Sequence, residues 1–133
     1  MRHHRELFEN VRRRTGMYLH PETYASVAGF VCGYDAAYEG GVLAGFREWL
    51  VIRLETGSNL GWSALVLHAA FPKAPSPQEA PLAGPEAERH AIDTLFDLIA
   101  EFDEVRAKRD GLNEIFLAYE QWCQRHRRRP RSA

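Results

Sequence analysis

The chain lacks most of the devices that would announce a function. Among its 133 residues there are two cysteines, Cys32 and Cys123, each set in an apolar helical pattern. That count excludes a disulfide-stapled scaffold, and two buried thiols in a reducing cytoplasm are the expectation. No apolar run approaches the ~20 residues that a membrane span needs. No apolar h-region follows the opening Met1-Arg-His-His-Arg-Glu6. The expected chain is therefore soluble and cytoplasmic, with no membrane partner. A formal net charge of −1 leaves no global field to draw it to nucleic acid. The basic ends also lack the interleaved aromatic residues on which bases would stack. His-Glu-x-x-His, a Cys/His cluster, a nucleophile elbow and a phosphate-binding loop are all missing, so no metal and no cofactor is expected. No internal repeat is visible.

What remains is an ordinary globular composition, 45% apolar and 26% charged, long enough for one domain with a core that needs no staples. The charge is unevenly placed. Arg2, Arg5, Arg12, Arg13 and Arg14 load the N-terminus, and Arg125, Arg127, Arg128, Arg129 and Arg131 load the C-terminus. The stretch from Glu86 to Glu104 is acidic. Either the ends lie against that acidic segment and the asymmetry is internal, or they form a basic surface.

Apolar spacing predicts an all-α domain of five or six helices covering residues 1–127. A first helix over 4–13 carries Leu7, Phe8 and Val11 on one face, and Thr15-Gly16 ends it before the turn Met17-Tyr-Leu-His20. A second spans 22–39 behind Pro21, a residue suited to a helix start. One of its stripes holds Tyr24, Val27, Val31, Tyr34 and Tyr38, and another holds Ala25, Gly29, Cys32, Gly33 and Ala36. Glycines inside a helix cost roughly 1 kcal/mol each against alanine, so a close neighbour is expected to offset them. A third helix over 42–54 turns Leu43, Phe46, Trp49, Leu50 and Leu54 inward, and a fourth follows over 60–71. The alternative is an α+β fold in which 49–67 forms a hairpin around Thr56-Gly-Ser-Asn59. A proline-rich surface linker over 72–85 leads to helices 86–108 and 112–127, expected to pair antiparallel and pack on the 22–39 helix. The inward stripe of the last helix reads Leu112, Ile115, Phe116, Tyr119, Trp122 and Cys123. The basic segment 128–133 is expected to be disordered.

Candidate binding residues come from the least core-like stretches. Tyr18 and His20 sit in the turn after the first helix, and His20 is the one histidine of interest among six. Asp35 is the only charge between Tyr24 and Tyr38. It reads either as a carboxylate paired with Arg13 or Arg47, or as a site group that hydrogen-bonds a ligand beside Tyr34. Arg47, next to Trp49, belongs to a solvated face or to the same site. Tyrosine and tryptophan dominate binding hot spots and small-molecule pockets, so Tyr18, Tyr34 and Trp49 complete the candidate set. No catalytic residue is assigned.

Val11-Arg-Arg-Arg-Thr-Gly-Met-Tyr-Leu19 resembles the Arg-Pro-Gly-Met-Tyr-Ile-Gly segment near the start of gyrase-type ATPases. That family's next helix supplies a catalytic glutamate and a magnesium-binding asparagine, whereas here it offers only Asp35. The later Asp-x-Gly-x-Gly is absent too, so the resemblance stays local and ATPase function is not inferred. Over most of its length the chain resembles a group of small bacterial proteins that begin Arg-Pro-Gly-Met-Tyr-Leu-Gly. The matching pieces are Thr15-Gly-Met-Tyr-Leu19, Gly33-Tyr-Asp-Ala-Ala37, Phe46-Arg-Glu-Trp49, Gly61-Trp62 and Leu95 to Phe102. It departs from them at Thr15 and His20. The arginine- and alanine-rich composition is similar to that of actinobacterial proteins. The resemblance implies an accessory or immunity-type role. The expectation is a non-catalytic binding protein that recognises a partner protein through an aromatic and acidic surface. The alternative is a small helical enzyme or ligand-binding protein of specialised metabolism, with a pocket around Asp35. A homodimer is compatible with either.

Overall fold

The computed structural model describes residues 2–127; the 128–133 segment expected to be disordered lies outside them. Among the described residues the chain is entirely helical, with no strand. Seven α-helices form: α1 (Arg2–Arg13), α2 (Thr15–Tyr18), α3 (Tyr24–Ala37), α4 (Phe46–Leu54), α5 (Trp62–Ala70), α6 (Pro85–Ala107) and α7 (Gly111–Arg127). A 3₁₀ turn, Ala80–Ala83, precedes α6. None of the helices is long and apolar enough to cross a membrane.

The axis of the domain is α6. It begins cleanly, with Pro85 at its first position, where the missing N–H costs nothing. Its apolar face buries Ile92, Leu95, Phe96, Ile99 and Phe102, and α1, α3, α4, α5 and α7 all pack around it. The expected antiparallel pairing of α6 with α7 is present. α7 leans on α4 as well, and α3 packs chiefly on α6, with further contacts from Tyr34 to His4 and Phe8 of α1. Most of the α7 stripe faces in: Ile115 and Trp122 are buried, Leu112, Tyr119 and Cys123 are half-buried, and Phe116 is exposed.

The hairpin over 49–67 does not form. Phe46, Trp49 and Leu50 are spaced for one face of a helix, and the next segment is a helix that buries Leu65, Val66, Leu67 and Ala70. Glu55 and Gly57, both at positive φ, separate the two helices. α4 starts at Phe46 rather than at 42 because Gly45 adopts φ +89°. A side chain at Gly45 would place its Cβ 2.7 Å from Leu112 Cδ1, so the loop is pressed against α7.

Two boundaries differ instructively from expectation. The break after α1 falls at Arg14, and Thr15 continues as a helical turn because its hydroxyl donates to Val11 O at 2.7 Å. Residues 72–85 are mostly exposed or half-buried. They are not simply extended, however, since the 3₁₀ turn folds onto α6 and buries Pro81.

The small-residue stripe of α3 faces solvent: Ala25, Gly29, Cys32, Gly33 and Ala36 are all exposed. Cys32 is therefore not the buried thiol expected, and Cys123 is half-buried. The opposite stripe carries the packing, with Tyr24, Val27 and Val31 buried.

The uneven charge is partly internal. Arg12 reaches Asp97 at 2.7 Å and Asp93 at 3.1 Å, and Arg89 also pairs with Asp93. Arg53 takes Glu101 at 2.9 Å. An N-terminal cation thus lies on the acidic helix, leaving that face with little uncompensated charge along its middle.

Candidate functional site

The first turn of α3 organises the most distinctive concavity. Thr23 caps the helix, its side chain accepting from Ser26 N, and fixes the direction in which Tyr24 leaves the backbone. Tyr24 then ties three helices together. Its hydroxyl donates to Ser63 O at 2.7 Å in the first turn of α5, and its amide donates to Glu88 Oε1 at 3.1 Å in α6. Burial pushes the Tyr24 phenol above the ordinary tyrosine range.

Between these three helices and the 3₁₀ turn lies a half-open cleft of about 450 Å³. This is the size of a small-molecule site. Alanines make the room, since Ala25, Ala28 and Ala64 leave space that larger side chains would fill. Leu67 and Pro81 supply apolar wall, and Leu82 stands at the rim with 78% of its surface exposed. The polar groups facing in are Ser63, Gln78, Thr23 and the Glu88 carboxylate. Glu88 forms no ion pair among the described residues. Such a mixture can hold a ligand; it offers no nucleophile beside a base.

A smaller cleft of about 270 Å³ runs between α1 and α6 over Phe8, Phe96 and Ile99. Two of its charged groups, Arg12 and Asp103, are already paired. Arg12 pairs with Asp93 and Asp97 as above, and Asp103 is held by Arg106 at 3.1 Å. Burial raises the Asp103 carboxyl above its usual range, and Arg106 opposes the shift. Among the described residues no group of three or more His, Cys, Asp or Glu side chains could hold a metal ion.

The six residues singled out by sequence do not meet. Tyr18 and His20 are exposed near the first turns of α3 and α6, where Arg89 hydrogen-bonds Thr15 and Arg12 O. Tyr34 and Asp35 lie at the far end of α3. The Tyr34 hydroxyl is hydrogen-bonded to His4 Nδ1 at 2.5 Å, and the two rings meet edge to face. Burial and the neighbouring Tyr38 push the Tyr34 phenol up to about 12. Asp35 takes neither Arg13 nor Arg47. Its Oδ1 accepts the Leu43 amide at 2.8 Å and so fastens the loop after α3, and it lines none of the clefts described here. Arg47 is a clamp on the loop between α4 and α5: it donates to Leu60 O at 2.8 Å, to Ser58 O and to Tyr119 OH. Trp49 is buried against Phe46 and Phe102, which removes it from any recognition surface.

Three residues escaped the sequence reading. His4, in the first turn of α1, is buried between Tyr34 and Tyr38. Tyr24 was indistinguishable from core, and Glu88 from the acidic run. The one usable signal was the density of prolines before α6, which fixes a rigid edge over the cleft. Comparison with protein-family models, with curated proteins and with solved structures finds no match for this chain.

Proposed function

We propose that this is a non-catalytic binding protein whose recognition site is the cleft between the first turns of α3 and α5 and the start of α6. The observation that carries the reading is the combination at one place of about 450 Å³ of mainly apolar space and a carboxylate with no cation partner among the described residues. The neighbouring residues are otherwise well satisfied: no buried side-chain nitrogen or oxygen among the described residues lacks a partner. An accessory or immunity-type role in the cytoplasm belongs to this proposal. The aromatic and acidic surface does not serve as the recognition face in it, because Trp49 is buried and Asp93, Asp97 and Glu101 are occupied by arginines.

A partner protein is the second reading. Met17 and Leu82 favour it, being 76% and 78% exposed in segments that border the start of α6. Both readings centre on the same end of the molecule.

The test is a screen of compact apolar fragments by amide chemical shifts, on the wild type and on Ala64→Phe, which fills the cleft. Hits should move amides of 23–28, 61–67 and 78–88, and should vanish in the variant. Leu82→Asp, at an exposed rim position, serves if Ala64→Phe folds poorly and should weaken the same hits. Hits that persist in both variants, or that map elsewhere, refute the reading.

A further inference from the structure

The chemistry of the cleft restricts its ligand, and this step rests on the cleft being the recognition site. We infer that the cleft takes a small uncharged molecule, mainly apolar, that donates one hydrogen bond to Glu88. A volume of about 450 Å³ lies in the range of small-molecule sites and suits a compact ligand. Most of the wall is alanine, leucine and proline, so most of the ligand surface must be apolar.

The decisive group is Glu88. Among the described residues it is the one acidic or basic side chain lining the cleft. Its charge is already set against two helix ends, because it sits in the first turn of α6 and accepts the first amide of α3 at 3.1 Å. Each helix N-terminus carries about half a positive charge. A cation entering the cleft would surrender its hydration to meet a carboxylate that those ends partly offset. An anion would meet the carboxylate itself. A neutral donor gives up far less hydration, and a carboxylate with one bond made still has lone pairs to offer. The other polar groups, Thr23, Ser63 and Gln78, are all neutral and suit the same ligand.

The test uses four monosubstituted benzenes of similar size on the full chain at neutral pH, followed by amide chemical shifts: benzyl alcohol, toluene, benzylamine as its ammonium, and benzoate. Benzyl alcohol should bind in the cleft about tenfold more tightly than toluene, as one hydrogen bond would give. The two charged probes should bind at least about tenfold more weakly than the alcohol. Glu88→Gln keeps a side-chain carbonyl acceptor and should retain alcohol binding. If benzylammonium binds the cleft best and Glu88→Gln abolishes that binding, the inference falls while the cleft stands as the site. Preference for benzoate has the same consequence. If none of the four moves a cleft amide, the inference and the reading beneath it both fall.

Discussion

Gly29 and Gly33 lie one turn apart inside α3, and both face solvent. An added Cβ meets no atom within 4 Å at either position. Replacing both by alanine should therefore recover the helix-propensity deficit without steric cost. Each exchange is worth about 1 kcal/mol in an exposed helix interior, so the pair should gain about 2 kcal/mol. Unfolding entropy of about 2.1 cal/mol/K per residue gives roughly 0.28 kcal/mol/K for 133 residues. Gly29→Ala with Gly33→Ala should then raise Tm by roughly 7 °C. Thermal unfolding followed by circular dichroism measures the shift. A urea titration should show a higher midpoint at unchanged slope, marking a change in stability and not in compactness. A fall in Tm would refute the reasoning, because it would mean that the glycine face is covered in the working protein. Repeating the melt at several protein concentrations would then identify the cover. A Tm that climbs with wild-type concentration, and loses that dependence in the double variant, would assign it to a second copy of the chain.

Asp35→Ala should cost about 1 kcal/mol, since it removes the acceptor for the Leu43 amide at 2.8 Å. Asp35→Asn keeps an oxygen there and should stay near wild type in urea unfolding; equal loss in both would mean that the charge, and not the loop contact, matters. Alkaline pH should destabilise the fold through Tyr24. Burial holds its folded value above the unfolded one, so the unfolded chain ionises first as pH passes about 10. The contribution is complete below that pH and is withdrawn as pH climbs further. A Tm series from pH 8 upward on wild type and Tyr24→Phe checks this, and a parallel decline in both would assign the loss to other groups.

The sequence by itself determined the helical class and nearly every helix. Period-3.6 spacing such as Ile92, Leu95, Phe96 and Ile99 can be buried in only one way, and Pro85 and Gly111 mark boundaries through local backbone chemistry. It determined equally that Phe46, Trp49 and Leu50 would face inward. Tertiary structure decided which stripe of α3 is covered, because both stripes are free of charge on the sequence and only the packing of α1, α5 and α6 selects between them. It decided that Arg12 and not a distant partner neutralises Asp93 and Asp97. It moved Asp35 and Arg47 from candidate site to loop fastening, since their acceptors and donors are backbone groups that no side-chain pattern reveals. The cleft was illegible for the same reason. Thr23, Ser63, Pro81 and Glu88 come from four separate segments, and their convergence is a property of helix packing, which acts over distances that local spacing does not encode.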